Sequence, residues 1–304
     1  MCERLKVSRA SYWRHWQASA PRQEETAVRD AVQRVALAHR HYGYRRIAAV
    51  LRREGVVVNH KRVLRLARED NLLCLRHRPF VPMTTRSDHD WPVVPNLVRG
   101  VRPTGPDQIW VADITYIRLR EGFVYLAVVL DAFSRKVVGW AIDDHLRASL
   151  AVQALQQALA ARRPPPGLIH HSDRGTQYAC EEYRALLEQH GLQASMSRPG
   201  NPYDNAKAES FMATLKREQI DGRAYRDLAE AKVDIGAFID AVYNRERLHS
   251  ALGYRSPEEF EAWQQTLLQP GVADAARPEG SAPTTPDPVL ELKATPAAMK
   301  LVSP

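Results

Sequence analysis

Cysteine is scarce: Cys2, Cys74 and Cys180 stand far apart in 304 residues and form no Cys-x-x-Cys pair. That excludes a disulfide scaffold and a cysteine-built zinc site, and it suits a reducing compartment. No apolar run of about 18 residues occurs, so no membrane-spanning helix is expected. The basic, apolar and small-residue order of a secretory leader is also missing. Acid is scarce in one region only. Residues 1–100 hold 20 Lys+Arg against 9 Asp+Glu, whereas the rest of the chain is close to neutral. A basic first third on a neutral body points to a polyanion-binding module joined to something else, or to a solvated basic face. The length suffices for two domains with their own cores.

The first hundred residues read as short helices. Residues 23–39 carry an apolar stripe through Ala27, Val28, Ala31, Val32, Val35 and Ala38. After His41-Tyr-Gly-Tyr-Arg-Arg46, a helical period resumes at Ile47 and runs to Gly55. Asn59 then caps a third helix through Val63, Leu64, Leu66 and Ala67. Two short helices and a turn fit a helix-turn-helix reader whose second helix enters a major groove, or else a plain helical bundle with a basic exterior. Arg45, Arg46, Asn59, Lys61, Arg62 and Arg65 are its candidate DNA contacts. Residues 2–12 suggest half of another such unit.

The expected organisation is a helix-turn-helix-like region at 1–75, a basic proline-rich linker at 76–108, a catalytic core at 109–265 and a disordered tail at 266–304. Six prolines interrupt the linker, and seven of the chain's twenty lie from Pro270 onward. Within the core, residues 109–117, 123–130 and 136–142 read as a strand meander. Helices follow at 148–161 and 180–190, strands at 167–171 and 193–197, and helices from the Gly/Pro loop to about 218 and at 228–243. The order β-β-β-α-β-α-β-α describes a mixed sheet with helices around it.

Three carboxylates interrupt this pattern. Asp113 sits inside the strand Ile-Trp-Val-Ala-Asp-Ile-Thr-Tyr-Ile, where a carboxylate is costly unless paired or bound to metal. Asp173 follows the strand ending at His171, and strand ends are where α/β sheets hold ligands. Glu209 lies on the helix after the Gly/Pro loop. At 3.6 residues per turn, Asn205, Met212, Ala213 and Lys216 fall near Glu209, with Ala208, Phe211 and Leu215 opposite. Each acid alone has an ordinary reading as a sheet-edge carboxylate, a turn cap or an exposed helix residue. Together they suit two divalent cations, Mg²⁺ or Mn²⁺ by the all-oxygen ligand set, about 3.5–4 Å apart for in-line phosphoryl displacement.

With those residues in place, the chain resembles the Asp-Asp-Glu transposases of bacterial insertion sequences, of the second-reading-frame type, and the retroviral integrases. Trp110-Val-Ala-Asp-Ile-Thr-Tyr116, His171-Ser-Asp-Arg-Gly-Thr-Gln-Tyr178 and Asp204-Asn-Ala-Lys-Ala-Glu-Ser-Phe211 are similar to the family's three motifs. Thirty-five residues lie between Asp173 and Glu209, the family interval. Asp131-Ala-Phe-Ser-Arg-Lys-Val-Val-Gly-Trp140 resembles its second-to-third-strand turn. Tyr243-Asn-Arg-Glu-Arg247, His249 and Ser256-Pro257 resemble its C-terminal signature, with Leu248 where relatives often have Pro.

The resemblance implies a ribonuclease H-like five-stranded mixed sheet with flanking helices, preceded by an all-α helix-turn-helix domain. It implies 3′-end cleavage and strand transfer by Asp113, Asp173 and Glu209 on two divalent ions, with Asn205 and Lys216 touching DNA. Double-stranded DNA, as element terminal repeats and as target, is the implied partner. At least a dimer on DNA, a bacterial cytoplasmic and nucleoid-associated setting, and a fusion to an upstream-frame product go with it. A structural zinc is not expected, and His170 and His171 read as packing groups. The competing classes are a nuclease that cuts without joining and a non-catalytic DNA-binding regulator of the element.

Overall fold

The computed structural model describes residues 23–74, 94–198 and 205–268. The half-unit expected at residues 2–12, most of the linker, the loop at 199–204 and the tail from 269 lie outside the described residues. Helices α1 (Gln23–Ala38), α2 (Tyr44–Arg53) and α3 (His60–Glu69) come first. Their apolar stripes meet: Val32 and Val35 of α1, Ile47 and Leu51 of α2, and Val63 and Leu66 of α3 are all buried in one cluster. Gly55 stops α2 with a φ of 82°, a region a side chain rarely adopts. Asn59 caps α3 as expected, its Oδ1 accepting from Lys61 N at 2.9 Å.

Five strands follow. They are β1 (Ile109–Arg118), β2 (Phe123–Asp131), β3 (Val137–Asp143), β4 (Ile169–Ser172) and β5 (Gln193–Met196), in the order β3-β2-β1-β4-β5. The meander β1–β2–β3 is antiparallel, and β4 and β5 add in parallel beside β1. The strands are apolar on both sides because both faces are covered. Helix α4 (Ala148–Arg162) lies against Trp110, Ala112, Ala127 and Val129 on one face. Helices α7 (Ala206–Leu215) and α8 (Leu228–Ala237) cover Val111, Val128 and Leu130 on the other. Gly139 is required by the first contact: a Cβ there would lie 2.2 Å from the Ala154 carbonyl of α4. This is the expected ribonuclease H-like arrangement, preceded by a helical region.

Several elements differ from expectation. A short helix α5 (Thr176–Ala179) precedes α6 (Glu181–Gln189). The helix after the Gly/Pro loop is α-helical only to Leu215, and a π-helical turn, Lys216–Ile220, extends it. The helix expected at 228–243 likewise turns π-helical, over Phe238–Glu246. One extra residue per turn shifts the side-chain strip, which an apolar period does not reveal. Helix α9 (Pro257–Leu268) ends the described chain. No helix of the described residues is long and apolar enough to cross a membrane.

The N-terminal helices share their core with the distant C-terminal segment. Leu248 is 3% exposed and belongs to the α1–α3 cluster. The Tyr42 hydroxyl accepts from Leu248 N at 3.0 Å, and Arg46 Nε donates to the Leu248 carbonyl at 3.0 Å. Arg53 of α2 donates to both Glu259 carboxylate oxygens, at 3.0 and 2.9 Å. The expected division into 1–75 and 109–265 therefore crosses a packed seam.

Candidate active site

Strand register brings the first two carboxylates together. In the parallel β1–β4 pairing, Val111 is opposite His171. Asp113, two residues on from Val111, shares its face of the sheet, and Asp173 follows just past the end of β4, close enough for its charge to act on Asp113. That face is the one α7 covers, since Val111 packs with Ala208, Phe211 and Leu215. Asp113 Oδ1 accepts from Ile114 N at 2.9 Å, and Asp173 Oδ1 accepts from Gly175 N at 2.9 Å. A Cβ at Gly175 would sit 3.0 Å from Asp173 Oδ1, so a larger residue there would press on this carboxylate.

Helix α7 delivers the third carboxylate. Asn205, at its start, donates Nδ2 to the Ala112 carbonyl at 3.0 Å. This fixes the helix beside the residue preceding Asp113. Glu209, one turn on, is exposed, while Ala208, Phe211, Thr214 and Leu215 are buried. Met212 departs from the helical projection: it is buried with the apolar side. Asn205 departs too. At 6% exposure it is a tether of α7, not a surface group for DNA.

Asp113 feels both of the other acids. Burial, then the Asp173 charge, and more weakly Glu209, push the Asp113 carboxyl up to about 7, against the Ile114 N–H and Lys216. Burial also raises Glu209. Lys216 is the nearby counter-charge. Burial lowers its proton affinity while Asp113 and Asp221 support its charge, and Nζ lies 5.1 Å over the Tyr116 ring. Beneath the pair, the Tyr178 hydroxyl is buried with no hydrogen-bond partner, its ionisation suppressed by burial and by Asp173, Tyr183 and Asp113. The Asn205 Oδ1 is buried without a partner as well.

Crowded carboxylates with a single half-buried lysine form a cation-seeking, all-oxygen donor set that fits a hard divalent ion. The acids stand open rather than closed on one point. Among the described residues, the group whose ligand atoms all lie within 4.8 Å of one another is Asp143, Asp144 and His145, on the loop after β3.

The remaining expected residues are placed as follows. His170 is buried and hydrogen-bonded to the Tyr183 hydroxyl at 2.9 Å. His171 lies between the Ser195 and Ser197 hydroxyls at 2.9 and 3.0 Å. Both are packing groups of the sheet. On the helical region, Lys61 and Arg62 are exposed, and Arg45 is exposed over the Tyr44 ring at 5.5 Å. Arg65 is exposed but bonded to Glu25 and Glu69. Asn59 serves the helix as its cap. Arg46 is half-buried, and its Nε donates to the Leu248 carbonyl, so it also braces the seam.

Sequence reasoning missed two anchors of the site's frame. Asp131 is fully buried and accepts from the backbone N–H groups of Asp107, Phe133 and Ser134. Asn244 pairs like a strand with Val137, its Oδ1 accepting and its Nδ2 donating, both at 3.0 Å. Asp131 carried a signal, an acid ending an apolar strand before a Ser-Arg turn; Asn244 carried only its place in the C-terminal signature.

Comparison with known proteins agrees with this architecture. Two models described as integrase core domain match residues 103–202 and 190–257, and one described as an HTH-like domain matches residues 22–80. The chain is 41% identical over 265 residues to the insertion element IS600 uncharacterized 31 kDa protein of Shigella sonnei, covering 86% of this chain and 97% of that one. It is 41% identical over 232 residues to the transposase for insertion sequence element IS904 of Lactococcus lactis, covering 75% and 91%. It is 39% identical over 267 residues to the transposase InsF for IS3A of Escherichia coli, covering 86% and 92%. Among solved structures, the HTLV-2 integrase catalytic core in complex with magnesium is similar at a TM-score of 0.42 and 16% identity, over 53% of this chain and 99% of that one. The chain thus belongs to the family of insertion-sequence transposases that carry an HTH-like domain and an integrase core domain.

Proposed function

We propose that this chain cleaves the 3′ ends of its insertion sequence and joins them to target DNA in a divalent-metal-dependent reaction. The observation that supports the reading is that the Asp173 and Glu209 charges both act on Asp113, with Asn205 bonded to Ala112 at the start of the Glu209 helix. Asp113 would be the ligand common to two Mg²⁺ or Mn²⁺ ions, with Asp173 and Glu209 each holding one. When bound, such ions supply charge that activates an attacking oxygen and stabilises the leaving oxygen of an in-line displacement. Water opening one phosphodiester gives a free 3′-hydroxyl and a 5′-phosphate. The 3′-hydroxyl then replaces another 3′ oxygen at the target phosphate, so bond number is conserved.

The chain's own residues position this chemistry. Lys216, beside Asp113, binds a backbone phosphate near the reacting one. Arg45, Lys61 and Arg62 hold the duplex, with α3 in the major groove. Two ends joined together require at least two copies of the chain on DNA, and the reaction belongs in the cytoplasm, at the nucleoid. An upstream-frame fusion would add to end recognition.

The test uses the purified chain, a labelled duplex of the element's end, Mg²⁺ and an Asp173→Asn control. Joined products in the wild type that vanish in the control are expected. Cleavage without joining would replace the reading with a nuclease, and binding with neither would replace it with a regulator.

A further inference from the structure

A second basic site lies on the flank of α7. A cavity of about 260 Å³ is lined by Arg46 of α2, Arg135 of the β2–β3 turn, Ser210 of α7, Arg217 of the π-helical turn that extends it, and Arg247 and His249 after the second π-helical turn. These residues come from the DNA-reading helices, the sheet and the C-terminal signature, so the cavity sits on the seam between them. Glu218 neutralises Arg247 through bonds of 2.7 and 2.8 Å but lies 3.8 Å from Arg217. Arg46 is held by a neutral carbonyl. The cavity therefore holds more positive charge than the protein balances.

His249 gives an independent sign of a missing ligand. It is 6% exposed, and its Nε2 is buried with no hydrogen-bond partner. The rest of the ring is satisfied: it bonds the Tyr243 backbone and packs edge-on against the Tyr243 ring at 4.9 Å. Burial and the charges of Arg247, Arg135 and Arg46 hold its proton affinity down to about 3. An anion in the cavity would offset that field, so that Nε2 can take up a proton and donate it to the anion.

We propose that this cavity is a phosphodiester-binding pocket that grips one backbone phosphate of the DNA between the reading helices and the catalytic helix. Planar guanidinium forks match phosphate oxygens, and several can converge on one group. Ser210 follows Glu209 on α7, about 100° around the helix, with Arg217 two turns along the same strip. A duplex whose reacting phosphate lies at Glu209 therefore passes this flank. Because Arg46 comes from α2, the grip also sets the register of the recognised sequence against the reacting bond. The identity of the polyanion rests on the transposase reading; the pocket itself does not.

The test uses the full chain, with Arg135→Gln, Arg217→Gln and their combination. Fluorescence anisotropy reads binding of a labelled end duplex and an unrelated duplex of equal length across a salt series. The double variant is expected to weaken both duplexes by about tenfold, as losing a charge-assisted contact does. The slope of log K against log salt should fall by about 0.9, one phosphate contact. A scan of single methylphosphonates should find one backbone position whose neutralisation weakens the wild type and no longer weakens the double variant. Folded variants with unchanged affinity and slope overturn the proposal. Arg217 is exposed, so Arg217→Gln keeps the test valid if Arg135→Gln unfolds the chain. Inorganic phosphate at matched ionic strength is the second probe. If it raises the wild-type melting temperature while the variants bind duplex normally, the pocket holds a free anion and the DNA assignment fails. Failure of the wild type to join ends would remove the transposase reading and leave these binding results intact.

Discussion

Asp113→Asn should make the metal-free protein more stable at pH 8, although it should abolish joining. The carboxyl is held at about 7 by burial and by Asp173, against an ordinary 3.8. Each tenfold change in proton affinity corresponds to about 1.4 kcal/mol, so forcing the charge costs up to about 4 kcal/mol. Solvent reaching the half-buried group reduces this to about 2–3 kcal/mol. The sign follows from a proton affinity that rises on folding. The folded state keeps its proton longer than the unfolded chain, so stability is full below pH 3.8 and declines as pH climbs through about 7. The asparagine carries no such cost. In a chelator at pH 8, thermal unfolding of the variant should lie about 4–10 °C above wild type, and at pH 4 the two should coincide. Adding Mg²⁺ should raise the wild-type midpoint and leave the variant nearly unmoved, since only the wild type gains a ligand. Equal midpoints at pH 8 in chelator would show that Asp113 is not crowded, and the shared-ligand role would lose its physical basis.

Leu248→Ala, in the shared core, should cost about 2–4 kcal/mol. Hydrogen exchange should show the loss first in α1–α3, and a uniform loss across the sheet would refute the seam as the weak point. Lys61→Ala with Arg62→Ala should reduce the salt slope of DNA binding by about 1.8, two phosphate contacts. Arg65→Ala should change the slope less, because Glu25 and Glu69 already hold that side chain. Tyr178→Phe removes a buried hydroxyl that has no partner, so metal-free stability should hold or rise by about 1 kcal/mol. A large loss in denaturant titration would reveal a bond the hydroxyl makes.

The three acids were legible because each sits where its residue type is out of place or precisely spaced: Asp113 in an apolar strand, Asp173 at a strand end, Glu209 at a fixed interval from it. Strands and helix cores were legible because apolar period follows burial. What escaped was set by partners far along the chain. Nothing near Arg46 signals that Leu248, 202 residues away, takes its Nε. A basic residue on a helix reads the same whether it meets DNA or a carbonyl. Asn205 was misread for a related reason: an amide before a helix suits a ligand contact and a backbone tether equally. The π-helical turns at 216–220 and 238–246 left no mark because one inserted residue only offsets a short stripe.

The outer strand β3 has a consequence for how copies assemble. Its Val137 backbone is taken by the Asn244 amide, and its Trp140 N–H by Gln157 Oε1 at 2.6 Å. Side chains thus occupy the rim where an unguarded strand would recruit another chain. A second copy of the chain is thereby steered away from lengthening the sheet at β3.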